Sequence, residues 1–386
     1  MRFLTAGESH GPALLAIIEG LPAGVSIDVD AIDQELALRQ RGAGRGGRMK
    51  IEKDRVKILS GLRFGRTLGS PVSLMIENRD WVNWQEVMSQ TPLPDEPAPL
   101  EEPRPGHADL AGVLKYKHAD CRNVLERASA RETAARVAVG AVAKQFLANF
   151  GVQLGSQVLR IGSKSTDKRL ISPDEMAEVR ASDLHCLDRD AAKEMRSLID
   201  QARSQGESLG GVLEVLAWNV PVGLGSHVHW DRRLDARLAA AVMSIPAIKG
   251  VEIGDGFDLA GRLGSKAHDP IYYDEEGGFY RETNHAGGIE GGISNGSPIR
   301  LVAAMKPIPT LMSPLPSVNI RTKEAVSASR ERSDVCAVPA AAVVAEAVVA
   351  WVLAQALVEK FGGDHLEDTL AAYASYRRRL ASDVQE

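Results

Sequence analysis

Two long segments rich in alanine and valine constrain this chain more than any other feature. The more apolar runs from about 335 to 358 and contains Pro339, Glu346 and Gln355. Small side chains and a central carboxylate suit a close-packed buried helix better than a membrane span. The other follows Arg127-Ala128-Ser129 and runs to about residue 149. Each is headed by an arginine-bearing turn (Arg127-Ala-Ser129, Arg332-Ser-Asp334) and finishes in a phenylalanine and a glycine (Phe150-Gly151, Phe361-Gly362).

The pairing extends beyond the helices. Gly7-Glu8-Ser9-His10-Gly11 is echoed by Gly206-Glu207-Ser208-Leu209-Gly210, with Leu where the first copy has His. At the same offset Pro22 falls on Pro221 and Gly24 on Gly223. Gly69-Ser70-Pro71-Val72 likewise resembles Gly296-Ser297-Pro298-Ile299, each opening a strand. The simplest account is one domain, 1–386, made of two related halves, about 1–160 and 200–365, with 375–386 as a polar tail. Chance similarity between glycine-rich segments is the competing explanation. Short glycine-linked strands favour antiparallel sheets over a parallel array. The expected class is α+β, an internally duplicated sandwich with the long helices central between antiparallel sheets.

Local signals place strands at 1–6, 12–20, 56–60, 72–77, 212–220 and 301–305. Helices are expected at 31–40, with Asp30 as N-cap, and at 231–243, with surface helices between 164 and 207. Ser129 with Glu132, and Ser172 with Glu175, have capping-box spacing. Residues 88–106, with six prolines, form a long loop.

The net charge of −5 offers nucleic acid or an anionic membrane no global attraction. Cys121, Cys186 and Cys336 form no CxxC pair, which argues against a disulfide framework or zinc site and fits a reducing compartment. No apolar run with a cleavage site opens the chain, so a cytoplasmic protein without a membrane role is expected. GxSxG, P-loop and post-strand GxGxxG patterns are missing, which disfavours a Rossmann nucleotide site.

Chemistry concentrates in loops. Residues 39–48 hold four arginines and four glycines in ten positions, a strongly cationic segment that cannot pack as a regular element. Planar guanidinium forks suit bidentate capture of phosphate and carboxylate. An RNA-binding role is the alternative, although the aromatic interleaving of such segments is lacking. His10 and His107 sit in loops beside glycine and are candidate general acids. The helix start at Ser129 offers free N–H groups beside Arg127, the outline of a phosphate site. His227 and His229 form an H-x-H pair without a third ligand and are taken as structural, so no metal is expected.

Taken together, Gly7-Glu-Ser-His-Gly11, Arg104-Pro-Gly-His-Ala-Asp109, Glu126-Arg-Ala-Ser-Ala-Arg-Glu-Thr133, Gly291-Gly-Ile-Ser294 and Arg332-Ser-Asp334 closely resemble the chorismate synthase family, in order, from residue 1 to about 365. The resemblance implies a carbon–oxygen lyase of the shikimate pathway, the route to aromatic amino acids. It would convert 5-enolpyruvylshikimate 3-phosphate to chorismate by 1,4-anti elimination. Reduced FMN would be required, with no net redox change. It also implies a homotetramer, NADPH as indirect reductant and an external flavin reductase. A flavin reductase activity within the chain itself is a further reading, for which no extra module is visible.

By position, the resemblance makes His10 the acid for the departing phosphate and His107 the acid for the flavin near N1. Asp334 would assist proton removal, and Ser9 and Ser129 would relay protons. Arg39, Arg45, Arg48, Arg131 and Arg332 would hold the substrate. The cofactor contacts implied are Arg127, Ala128, Ser129, Pro246, Ala247, Gly291, Lys306, Pro307, Ile308, Pro309, Thr310 and Arg332, with Arg39 and Arg45 also touching NADP. Many relatives carry Asn where this chain has Pro246, which leaves a carbonyl or ring contact there.

Overall fold

In the computed structural model, residues 1–47, 51–167, 170–275, 278–329 and 334–382 are described. Arg48 and Arg332 lie outside them.

The chain begins with β1 (Arg2–Ala6), β2 (Ala13–Glu19), α1 (Val29–Gln40), β3 (Val56–Ser60), a two-residue hairpin β4 and β5 (Leu62–Arg63, Arg66–Thr67) and β6 (Val72–Glu77). β1, β2, β3 and β6 form an antiparallel sheet in the order β1-β2-β6-β3, with β4 and β5 paired separately. The alternation of β2 is strict: Leu14, Ala16 and Ile18 are buried and Leu15, Ile17 and Glu19 exposed, the period-two pattern of a sheet with one face on the core. Then come α2 (Asp109–Tyr116), α3 (Arg122–Ala128) and the long α4 (Thr133–Ala148).

The second part runs β7 (Gln153–Ile161), β8 (Lys164–Ser165), α5 (Met176–Ala181), α6 (Arg189–Gln205), β9 (Gly211–Trp218), α7 (Leu234–Met243), β10 (Ile248–Ile253) and a single turn α8 (Gly264–Ala267). Hairpins β11–β12 (Tyr272–Asp274, Gly278–Tyr280) and β13–β14 (Ile289–Glu290, Ile293–Ser294) lead to β15 (Ile299–Met305), and β16–β17 (Pro316–Val318, Ala325–Ser327) to α9 (Val338–Phe361) and α10 (Leu366–Ser382). The second sheet is antiparallel in the order β10-β15-β9-β7-β8.

The two apolar segments meet as helices. α4 packs along α9, close enough that a Cβ on Gly140 would lie 2.4 Å from the Cβ of Ala347. α4 also covers β2 and β6, while α9 covers β7 and β9. α9 is long and apolar enough to cross a membrane, but 89% of its apolar window is buried in the protein. Its carboxylate, Glu346, is fully buried and answered by Lys144 at 2.5 Å, Arg180 at 2.9 Å and the Ser156 hydroxyl at 2.7 Å. Glu35 on α1 pairs with the same two cations, so one ionic cluster ties α1, α4, α5, α9 and β7 together.

Two turns repeat one hydrogen-bond pattern. Thr67 Oγ donates to Pro22 O (2.6 Å) and accepts from Val25 N (2.9 Å). Ser294 Oγ donates to Pro221 O (2.6 Å) and accepts from Leu224 N (2.8 Å). Backbone bonds follow suit, Gly24 N to Thr67 O and Gly223 N to Ser294 O.

Some expectations shift locally. The N-cap of α1 is Asp28, which accepts from Asp30 N, rather than Asp30 itself. Ser129 caps the Arg131 N–H through a short 3-10 turn, while Glu132 pairs with Arg136 instead of closing the box. Ser172 and Glu175 do close theirs, the Ser172 N–H donating to the Glu175 carboxylate at 2.7 Å. The polar end of the chain is helical to Ser382 and held down: Tyr373 stacks edge-on with Phe361, and the Tyr376 hydroxyl donates to Val222 O.

Candidate active site

The first glycine of the 7–11 loop is dictated by geometry. Gly7 has φ +105°, and a Cβ there would lie 2.3 Å from Ala13 O. Asn78 closes the loop from behind, its amide donating to Gly11 O (2.7 Å) and Glu8 O (3.1 Å). Ser9 is thereby buried and accepts from the Ser129 hydroxyl at 3.2 Å. His10 is held three ways. Its Nδ1 lies 2.8 Å from Glu126 Oε1, its backbone N–H donates to Glu126 Oε2 at 2.7 Å, and its ring stacks on Trp84 with centroids 3.9 Å apart.

His107 has a matching arrangement. Its Nδ1 is 2.5 Å from Asp109 Oδ1, and Asp109 also accepts from Arg104 Nε at 2.9 Å. Burial works against ionisation of Asp109, but the hydrogen bonds from His107 and Arg104 outweigh it and hold the carboxyl well below its usual range. In both pairs a buried carboxylate sits at Nδ1 and orients the ring.

Both histidines line one cavity of about 590 Å³, with Ser9, Ser129, Arg39, Arg45, Arg131 and Asp334. Ala128, Pro246, Ala247, Lys306, Ile308, Pro309 and Thr310 line it too, so most of the sequence-derived site converges there. Arg127, Gly291 and Pro307 are not among the lining residues. Arg127 turns instead to the carbonyls of Thr5 and Gly7. Arg104 and Lys249, to which the sequence alone assigns no role, line the cavity as well.

The α4 and α9 N-termini both reach this cavity, through Ser129, Ala130 and Thr133 on one side and Ala337, Ala340 and Ala341 on the other. Two helix dipoles therefore present their positive ends to the same space. Burial, with Arg131 and Arg45 close by, pushes Arg39 down to about 10 despite the attraction of Asp54, a crowding of cations that a bound anion relieves. Part of the arginine-rich segment is docked: Arg45 bonds Asp334 Oδ2 at 2.5 Å and Gly46 N–H donates to Oδ1 at 2.6 Å. Lys306 reaches across to Gly106 O at 2.5 Å. Among the described residues no cluster of histidine, cysteine or acidic side chains is placed to hold a metal.

Such a cavity is built for acid–base work on a small, highly anionic molecule, the task of an enzyme. A family model described as chorismate synthase matches residues 1–358. The chain is 60% identical over 385 residues to chorismate synthase of Geobacter sulfurreducens, covering 97% of this chain and 98% of that protein. It is 58% identical to chorismate synthase of Moorella thermoacetica, over 98% of this chain and 100% of the relative. A solved crystal structure of a chorismate synthase superposes with a TM-score of 0.81 at 46% identity, covering 99% of this chain and 98% of that one. The chain belongs to the chorismate synthase family. It is a lyase of the final step of the shikimate pathway.

Proposed function

We propose that the cavity converts 5-enolpyruvylshikimate 3-phosphate to chorismate by 1,4-anti elimination, with reduced FMN bound beside the substrate and no net redox change. The observation that carries the proposal is the convergence of two histidine–carboxylate pairs on a cavity walled by Arg39, Arg45 and Arg131.

The residues present fit a flavin. An apolar wall of Ile245, Ile248, Met305, Ala340, Ala341 and Val344 suits a flat ring system. Ala128, Ser129, Pro246, Ala247, Lys306, Ile308, Pro309 and Thr310 would hold it. When bound, reduced FMN supplies electron density to the allylic system and takes it back, chemistry that no side chain offers. The protein's own residues do the rest. Arg39, Arg45 and Arg131, with Arg48 and Arg332, grip the phosphate and carboxylates. His10 delivers a proton from Nε2 to the departing phosphate as the carbon–oxygen bond breaks, Glu126 steadying the imidazolium. Asp334 receives the proton lost from C6 at the end of its transfer, and His107 keeps a proton beside the cofactor. Ser9 and Ser129, in hydrogen-bond contact, relay protons between the two walls.

Several wider features belong to the same reading. The repeated Thr67 and Ser294 turns, and matching sheet orders β1-β2-β6-β3 and β7-β9-β15-β10, support an internal duplication with α4 and α9 sandwiched between the sheets. The exposed face of the first sheet carries Leu4, Leu15, Ile17 and Leu59, an apolar surface in keeping with a homotetramer. The protein works in the cytoplasm, with NADPH serving an external flavin reductase that supplies the reduced cofactor. The test is anaerobic incubation with substrate and reduced FMN. Chorismate and phosphate should appear together, and no turnover with a competent reductant would refute the proposal.

A further inference from the structure

Behind the arginine wall lies a carboxylate that does not itself line the cavity. Asp54, with its side chain fully buried, accepts from Arg131 Nη1 at 2.6 and 2.7 Å through its two oxygens and from Arg39 Nη2 at 2.9 Å. Its backbone is pinned from outside, Gln40 Oε1 accepting from Asp54 N at 3.0 Å while Gln40 Nε2 donates to Glu52 O at 3.1 Å. Arg131 continues the chain of bonds: Nε donates to Asn78 Oδ1 at 2.9 Å, and the same Asn78 amide holds the backbone of the His10 loop. Arg39 Nε has no hydrogen-bond partner among the described residues, and Arg131 Nη2 has Glu52 at 3.7 Å without a hydrogen bond, so both buried guanidiniums keep donor capacity in reserve.

We propose that Asp54 is a positioning residue for substrate binding: it holds Arg39 and Arg131 side by side as a preformed anion clamp, and through Arg131 and Asn78 it keeps that clamp in register with the loop that carries His10. Two guanidiniums next to each other repel, and a shared counter-charge offsets that repulsion before an anion binds. Charge alone would argue the reverse effect, since an extra carboxylate weakens the capture of an anion. The two views therefore predict opposite signs.

The inference rests on the cavity being the site for a phosphorylated dicarboxylate, so turnover of 5-enolpyruvylshikimate 3-phosphate by the wild-type protein is established first. If wild type is inactive, the functional reading fails by itself. Given active wild type, Asp54→Asn is compared with it for KM, kcat, thermal midpoint and flavin retention. Positioning predicts a KM raised about tenfold, the order of one lost charge-assisted hydrogen bond, with a smaller fall in kcat from looser register with the His10 loop. In a double-mutant cycle with Arg131→Lys, the rise in KM of the double variant should be smaller than the product of the two single effects, because part of the Asp54 contribution runs through Arg131. If Asp54→Asn does not fold, Gln40→Met replaces it, loosening the Asp54 backbone at constant volume, with a smaller rise in KM expected. An unchanged or lowered KM in the variant that folds, or KM effects that multiply in the cycle, would overturn the proposal.

Discussion

Replacing Glu126 by Gln probes the support of His10 directly. The carboxylate makes two bonds to one residue, 2.8 Å to the ring Nδ1 and 2.7 Å to the backbone N–H, and it lies buried on α3. Gln is nearly isosteric and keeps one acceptor, so the loop should stay folded while the charge is lost. Hydrogen bonds to charged groups contribute about 1.5–3 kcal/mol against about 1 for neutral pairs. The difference, roughly 1–2 kcal/mol, falls on the state in which His10 is protonated and corresponds to about a 5- to 30-fold loss of kcat. The assay is anaerobic turnover with reduced FMN, alongside thermal unfolding to confirm the fold. Because Glu126 acts through His10, adding the substitution to His10→Ala should cost nothing further. Unaltered kcat in Glu126→Gln, or a further loss in the double variant, would refute the reasoning.

Burial pushes His185 down to about 4, against an unfolded value near 6.5. Between those limits the unfolded chain binds a proton that the native state refuses. Stability should therefore be fully present above about pH 6.5 and fall by up to about 3 kcal/mol as pH drops towards 4. Urea unfolding at several pH values checks this, His185→Gln should flatten the profile, and a flat wild-type profile would contradict it. Gly7→Ala should destabilise the protein by about 1–3 kcal/mol and displace the His10 loop, measured by thermal unfolding and kcat, because the residue sits at positive φ against Ala13 O. His10→Leu should lower kcat by about 10² or more, whereas Leu209→His should add no second activity, since Leu209 is bridged to Cys336 and does not line the cavity.

Much of this was legible in the sequence because the signals were local. Strand alternation marked 56–60 and 72–77, and both became strands with those bounds. Glycine at 7 and the histidines at 10 and 107 announced loops that reach one cavity. The carboxylates that make those histidines useful were harder to see. Asp109 stands two residues from His107, but Glu126 lies far along the chain from His10, and Asp54 meets Arg131 only through the fold. The sequence does not reveal helix α3, because Arg122–Ala128 is mostly polar and packs against α2 in the fold. From 375 on, the C-terminal helix reads in the sequence as a polar tail for a similar reason. Its anchors, Tyr373 and Tyr376 on Phe361, are tertiary contacts that polar composition conceals.

The central claim is that one cavity eliminates phosphate from its substrate with a reduced flavin that ends as it began. Rapid anaerobic mixing of the protein and reduced FMN with 5-enolpyruvylshikimate 3-phosphate, followed by flavin absorbance and product formation in a single turnover, tests it most directly. The flavin spectrum should change on mixing and return to its starting form as chorismate and phosphate appear in equal amounts. Chorismate formed with stoichiometric flavin oxidation, or without any flavin, would contradict it.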